Sequence, residues 1–188
     1  MNYQLIIAGI GGQGVLFAAK VLTETARRKK LRILGSQTFG MAQRGGSVMT
    51  HLKIGDFAGP LVCEGDANLL LGLDCVEAHR NLGYLQAAKE GRGALCVVNV
   101  SPQGAFPSAA VADLLEELGV VSHVCNADGE ALALGNPLLA NLVLLGFGSR
   151  QAGFPFGLED LREATAALSG AAAGKLNLAA LERGAALC

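Results

Sequence analysis

Leu5-Ile6-Ile7-Ala8-Gly9-Ile10-Gly11-Gly12-Gln13-Gly14-Val15-Leu16 decides the fold of this chain. Its first four residues are short, branched and uncharged, as in a parallel strand buried on both faces. Gly9, Gly11 and Gly14 follow at G-x-G-x-x-G spacing. Val15, Leu16, Ala18, Ala19, Val21, Leu22 and Ala26 then recur as the broad apolar face of a helix. Strand, glycine turn and helix make the first half of a βαβ nucleotide-type unit, whose turn can bring backbone N–H groups to an anion. The same turn can also serve only to pack a helix closely on a strand. The glycines alone leave both readings open.

A dinucleotide site needs an acidic residue about 20 positions further on, at the end of the second strand, to hold the ribose hydroxyls. That strand is read at Arg32-Ile33-Leu34, running into Gly35-Ser36-Gln37-Thr38, and no carboxylate occurs between Glu24 and Asp56. Classical NAD binding therefore lacks its ribose ligand. A second cluster, Phe39-Gly40-Met41-Ala42-Gln43-Arg44-Gly45-Gly46-Ser47-Val48, has the composition of neither helix nor strand. Gly45 and Gly46 permit close backbone approach, and Arg44 offers a planar fork of donors for a carboxylate or phosphate. The candidate site is Gly11, Gly12, Gln13, Gly14, Arg44, Gly45 and Gly46, facing a phosphate-bearing ligand or a partner chain.

These two motifs, Gly9 to Val15 and Gly40 to Val48, resemble the gamma-type subunit of 2-oxoacid:ferredoxin oxidoreductases. The form Met41-Ala42-Gln43-Arg44-Gly45-Gly46-Ser47-Val48 is most similar to the small (beta) subunit of the indolepyruvate enzymes. The likeness continues through Gly65-Asp66-Ala67-Asn68, through Gly135-Asn136-Pro137 to Asn141 and Gly146, and through Lys175 to Ala180 and Gly184. It covers essentially the whole chain in order. Gln37-Thr38-Phe39 stands where the indolepyruvate type often has Glu-Val-His, and Asp74 where Glu is usual; both bear on substrate more than on family.

The resemblance implies a complex that decarboxylates a 2-oxoacid oxidatively with coenzyme A and passes electrons to ferredoxin. It implies thiamine diphosphate, Mg²⁺ and iron–sulfur clusters carried by larger partner subunits, with this chain completing the site and inactive alone. A stand-alone NAD(P)-binding oxidoreductase and a scaffold that touches no ligand are the rival readings, and the isolated chain could form a homodimer.

The residues read without the resemblance agree. A chain of 188 residues can bury one good core, so a single domain over 1–188 is expected. Hydrophobic residues make up 51% and charged residues 16%, with a mean hydropathy of +0.40, which favours large buried interfaces. No apolar run reaches a bilayer span without interruption; Ala131 to Gly148, broken by Asn136-Pro137, reads as two helix pieces. A formal net charge of −1 gives no footprint for nucleic acid. The basic run Arg27-Arg28-Lys29-Lys30 falls at the end of the first helix, where it complements the dipole in solvent.

Cys63, Cys75, Cys96, Cys125 and Cys188 form no Cys-x-x-Cys pair and are odd in number, so cluster ligands and a disulfide framework are not expected. Reduced thiols and no secretory signal point to the cytoplasm. His51, His79 and His123 lack ligand spacing. Gly65-Asp66-Ala67 with Asn99 imitates the Gly-Asp-Gly…Asn motif of thiamine enzymes, but the second glycine is missing.

The remaining pattern alternates. Strands are expected at Ser47 to Ile54, Ala67 to Leu73, Ala94 to Val98 and Val120 to Cys125, with helices at Asp74 to Lys89 and Ser108 to Leu118. From Pro137 onward the chain reads as helical, broken at Gly146 to Gly157 and Gly170 to Gly174. The expected fold is α/β: a three-layer, Rossmann-like, mainly parallel sheet with helices on both faces and a helical C-terminal third.

Overall fold

The structure, a computed structural model, describes residues 1–39, 45–88, 93–102 and 104–188. Its strands are β1 (Tyr3–Ile10), β2 (Ile33–Phe39), β3 (Ser47–Ile54), β4 (Leu69–Gly72), β5 (Leu95–Asn99) and β6 (Val121–Cys125). Helix α1 (Val15–Arg28) follows β1, α2 (Cys75–Arg80) follows β4 and α3 (Ala109–Glu117) follows β5. After β6 come α4 (Ala127–Ala133), α5 (Ala140–Gly148), α6 (Leu158–Leu168) and α7 (Ala171–Ala185).

The sheet order is β2-β3-β1-β4-β5-β6. β1, β4, β5 and β6 pair in parallel, while β3 runs antiparallel to both β1 and β2. β3 alone opposes the others, so the sheet is mainly parallel as expected. The order corrects one expectation, however. β2 is not the neighbour of β1, because β3 folds back from β2 and takes the place beside it.

Strands β4 and β5 are buried along their whole length, and β1 from Leu5 to Gly9. Their alternate residues feed two cores. Leu5 and Ile7 pack with α1, α5 and α7; Ile6 and Ala8 pack with Ala78 of α2 and Leu115 of α3. Helices thus cover both faces. Each fully buried leucine here contributes about 1.5–3 kcal/mol relative to exposure.

The apolar run before Gly148 becomes α5, a core helix buried at every position after Ala140. It crosses α7 through Gly146 and Gly184. A Cβ on Gly146 would lie 1.9 Å from the Leu181 carbonyl oxygen, and one on Gly184 1.9 Å from that of Val143. Among the described residues no helix is long and apolar enough to cross a membrane.

Two local expectations need correction. The helix expected to run from Asp74 to Lys89 stops at Arg80 and gives way to a 3-10 turn over Leu82–Tyr84. Here tertiary pairing outweighs helix propensity: the Ala67 amide donates to the Tyr84 carbonyl at 2.7 Å, and the Gln86 amide to the Ala67 carbonyl at 2.9 Å. The basic run is also more than a solvated helix end. Arg28 bonds Glu163 at 2.9 Å and Lys29 bonds Asp160 at 2.8 Å, which fastens α1 to α6. These pairs are largely exposed and set register more than stability.

Candidate functional site

The ends of β1, β4 and β5 and the start of β3 lie along one edge of the sheet. From β1 the chain passes through α1, on one face, to the far edge strand β2. From β4 it passes through α2, on the other face, toward β5 and β6. Ligands of open α/β sheets bind in the crevice at such a switch point. The glycine turn after β1 sits there.

The turn is shaped by its own side chain. Gln13 Oε1 accepts the Ile10 amide at 2.8 Å, and the Gln13 amide donates to the Ile10 carbonyl at 3.1 Å. Gln13 is therefore turned inward as a clamp. Gly12 (φ 107°) and Gly14 (φ 81°) hold left-handed conformations that an L side chain rarely adopts. A Cβ on Gly9 would meet Gln13, Val15 and Leu73 at 2.9–3.1 Å, so this glycine serves close packing of helix and strand.

Gly14 is the N-cap of α1 and carries no side-chain cap, and the first turn of the helix has no acidic residue. Among the described residues, the amides of Gly12, Gly14, Val15 and Leu16 make no hydrogen bond. Amides unpaired among the described residues thus stand at the positive end of a 14-residue helix whose first turn has no acidic residue. That combination suits an anion. A hollow of about 300 Å³ adjoins one side, lined by Ile10, Gly11, Val15, Leu16 and Val48. Another of about 290 Å³, lined by Phe17, Asn136, Leu138, Asn141 and Asn177, adjoins the other.

Of the residues singled out in the sequence, Gly11 and Gly46 are joined directly. The Gly11 amide donates to the Gly46 carbonyl at 2.8 Å, one step beyond the β1–β3 register that pairs Ile10 with Ser47. Gly46 is thereby fastened to the first glycine turn. Gly45, exposed and at φ 74°, has open space where a Cβ would be. Arg44 lies outside the described residues. A larger groove than either, about 710 Å³, lies elsewhere, between α1 and strands β2 and β3. Its one carboxylate, Glu24, is already paired with Arg27 at 2.8 Å, and no set of open amides converges there, so the glycine turn remains the candidate.

Sequence reasoning did not single out Glu77. Asp74 caps α2 by accepting from the Val76 and Glu77 amides at 2.9 and 3.0 Å. The Asp-x-x-Glu spacing suggests a reciprocal cap, yet the Glu77 side chain turns away. It accepts the Ser47 hydroxyl at 2.6 Å and Arg80 at 2.6 Å, with its carboxylate buried.

The histidines hold structure. The Val62 amide donates to His51 Nδ1 at 3.2 Å, and burial, aided by Lys53, pushes the His51 pKa below its ordinary value. His79 links Cys75 and Ser108 through its two ring nitrogens, at 2.8 and 3.1 Å.

Two cofactor sites can be tested against this geometry. Asp66 precedes β4 whereas Asn99 ends β5, so they stand at opposite ends of the sheet. Asn99 instead accepts the Ala127 amide at 2.9 Å and donates to the Leu73 carbonyl at 3.0 Å. This pair does not fit a thiamine diphosphate–Mg²⁺ site. For NAD, the end of β2 is two strand spacings, about 9–10 Å, from β1, too far for the usual ribose contact.

The Pyruvate ferredoxin/flavodoxin oxidoreductase family matches this chain over residues 4–187. An indolepyruvate oxidoreductase subunit IorB of Methanothermobacter thermautotrophicus is 34% identical over 166 residues, covering 86% of this chain and 85% of the relative. That of Archaeoglobus fulgidus is 32% identical over 194 residues, covering 98% and 94%. Among solved structures, the gamma subunit of a keto/oxoacid ferredoxin oxidoreductase from Geobacter sulfurreducens superposes with a TM-score of 0.67 at 24% identity, covering 97% of this chain and 95% of that one. A 2-oxoglutarate:ferredoxin oxidoreductase from Magnetococcus marinus, solved with 2-oxoglutarate, coenzyme A and succinyl-CoA bound, gives 0.76 at 20% identity. There the match takes in 99% of this chain but 31% of the longer polypeptide.

Proposed function

This chain belongs to the pyruvate ferredoxin/flavodoxin oxidoreductase family as a subunit of a 2-oxoacid:ferredoxin oxidoreductase, and from that premise we propose its part in the reaction. The complex converts an aryl pyruvate, indolepyruvate foremost, and coenzyme A into acyl-CoA, CO₂, a proton and two electrons for ferredoxin. The C1–C2 bond breaks, the thiol sulfur bonds to C2, and the thiol proton is released. The names of the curated relatives support the substrate. Thiamine diphosphate, Mg²⁺ and clusters, which supply the carbanion chemistry and one-electron transfer, reside in larger partner subunits. Residues 1–188 act as one gamma-type domain in the cytoplasm.

The role of this chain is to hold coenzyme A by its phosphates. The observation that carries this reading is the uncapped N-terminus of α1, flanked by two hollows, where the amides of Gly12, Gly14, Val15 and Leu16 make no hydrogen bond among the described residues. Amides there bind and orient the diphosphate, and the Arg44 guanidinium supplies a permanent positive charge for it. Orientation of the thiol arm toward a neighbouring subunit is the catalytic contribution.

Reconstitution tests the proposal. The chain alone, given thiamine diphosphate and Mg²⁺, should reduce no dye with indolepyruvate. Activity should appear on adding the partner, with coenzyme A saturation sensitive to the glycine turn. Oxoacid-dependent reduction by the pure chain, or tight NAD(P)H binding by it, would refute the assignment.

A further inference from the structure

Ser47 starts β3, the strand beside β1, and Glu77 belongs to α2, the helix whose Ala78 packs with Ile6 and Ala8 of β1. Their hydroxyl–carboxylate bond, 2.6 Å long, ties the start of β3 to that helix. The carboxylate is 5% exposed and its second oxygen is held by Arg80 at 2.6 Å, so the acceptor is fixed and charged. Such bonds are the shorter and stronger class. Ser47 is paired in register with Ile10, and the next rung is the Gly11 amide on the Gly46 carbonyl at 2.8 Å.

We propose that Glu77 and Ser47 are positioning residues: the carboxylate, through the Ser47 hydroxyl, holds the Gly45-Gly46 turn against the Gly11–Gly14 turn. The terminal rungs of a ladder fray most readily, and a side-chain strut from the opposite layer of the molecule suppresses that fraying here. Among the described residues the Ser47 hydroxyl makes no other hydrogen bond. As a consequence, resting on the coenzyme A reading above, the strut fixes Gly46 against the glycine turn that receives the phosphates.

Site-resolved hydrogen exchange on the full chain tests the strut without any ligand. Ser47→Ala should speed exchange of the Gly11 amide about tenfold while core amides such as Leu22 keep their protection. Ser47→Thr, which restores a hydroxyl on a strand residue, should return it. At the Gly11 amide Glu77→Ala should match Ser47→Ala, and the double variant should exchange there no faster than either, because the Ser47–Glu77 bond is the interaction that both remove. In the reconstituted complex, Ser47→Ala should raise the KM for coenzyme A about tenfold at unchanged kcat, with rescue by threonine. Unchanged Gly11 exchange in Ser47→Ala and Glu77→Ala would overturn the strut. Faster exchange with an unchanged KM would uphold the strut and overturn the coenzyme A reading instead.

Discussion

The Asn141 carboxamide donates to the Gly14 carbonyl across 3.3 Å, and a Cβ on Gly14 would lie 1.9 Å from that donor nitrogen. α5 therefore touches the glycine turn directly, and the turn is fixed by the core as well as by its own hydrogen bonds. Gly14→Ala meets two penalties at once. The left-handed conformation costs a non-glycine residue about 1–2 kcal/mol, and overpacking adds about 1–3 kcal/mol. A loss of about 2–5 kcal/mol in chemical denaturation is expected. Asn141→Ala in the same chain should recover the steric part and leave the strain. Equal stability of Gly14→Ala and the parent protein would show that the turn is looser than this contact implies.

The crossing of α5 and α7 makes a similar prediction far from the turn. Gly146→Ala and Gly184→Ala should each destabilise by about 3 kcal/mol or more, since each Cβ would press on a backbone carbonyl of the other helix rather than on a movable side chain. Thermal melts of the two variants check this. Surface variants of the same helix, such as Lys175→Ala, should melt normally.

Those glycines show what a sequence can and cannot disclose. Leu5 to Val15 is locally consistent: strand composition, turn chemistry and helix periodicity agree, and the structure follows their order, with β1 running two residues past Ala8 to Ile10. Gly146 and Gly184 stood out only within a family likeness, because close approach of two helices leaves no local pattern. The same holds for β3, whose place between β2 and β1 depends on nonlocal pairing that periodicity cannot specify. α2 ended early because Ala67 claims the backbone of Tyr84 and Gln86. Glu77 was invisible for a related reason. Its capping-box spacing predicts a local partner, and its actual partner, Ser47, lies 30 positions away on another element.

His51 gives the stability a pH dependence of known sign. Burial holds its folded pKa below the ordinary 6.5, so the folded state favours the uncharged ring that accepts the Val62 amide. The unfolded chain binds its proton first. Stability from this residue is therefore complete above pH 6.5 and declines as pH falls from there through the folded pKa. His51→Gln, whose amide oxygen can still accept from Val62, should flatten that decline. The comparison is the difference in melting temperature between pH 7.5 and pH 5, parent against variant. An undiminished difference would assign the acid sensitivity to other groups.

Arg44 carries the sharpest test of the ligand reading. A guanidinium paired with a phosphate makes charge-assisted hydrogen bonds worth about 1.5–3 kcal/mol, and Arg44→Ala should weaken coenzyme A binding by the complex about 10- to 150-fold. Arg44→Lys should rescue only in part, because a point charge cannot reproduce the two-pronged contact. The isolated variant should keep its melting temperature, since the interaction is made with a ligand and not within the chain. The opposite pattern, a lower melting temperature with undiminished coenzyme A affinity, would make Arg44 a brace for its own loop. The open amides of the glycine turn would then have to hold the phosphates alone. In that case the salt dependence of coenzyme A binding should be unaltered in Arg44→Ala, because no charge that pairs with the phosphates would have been lost from the site.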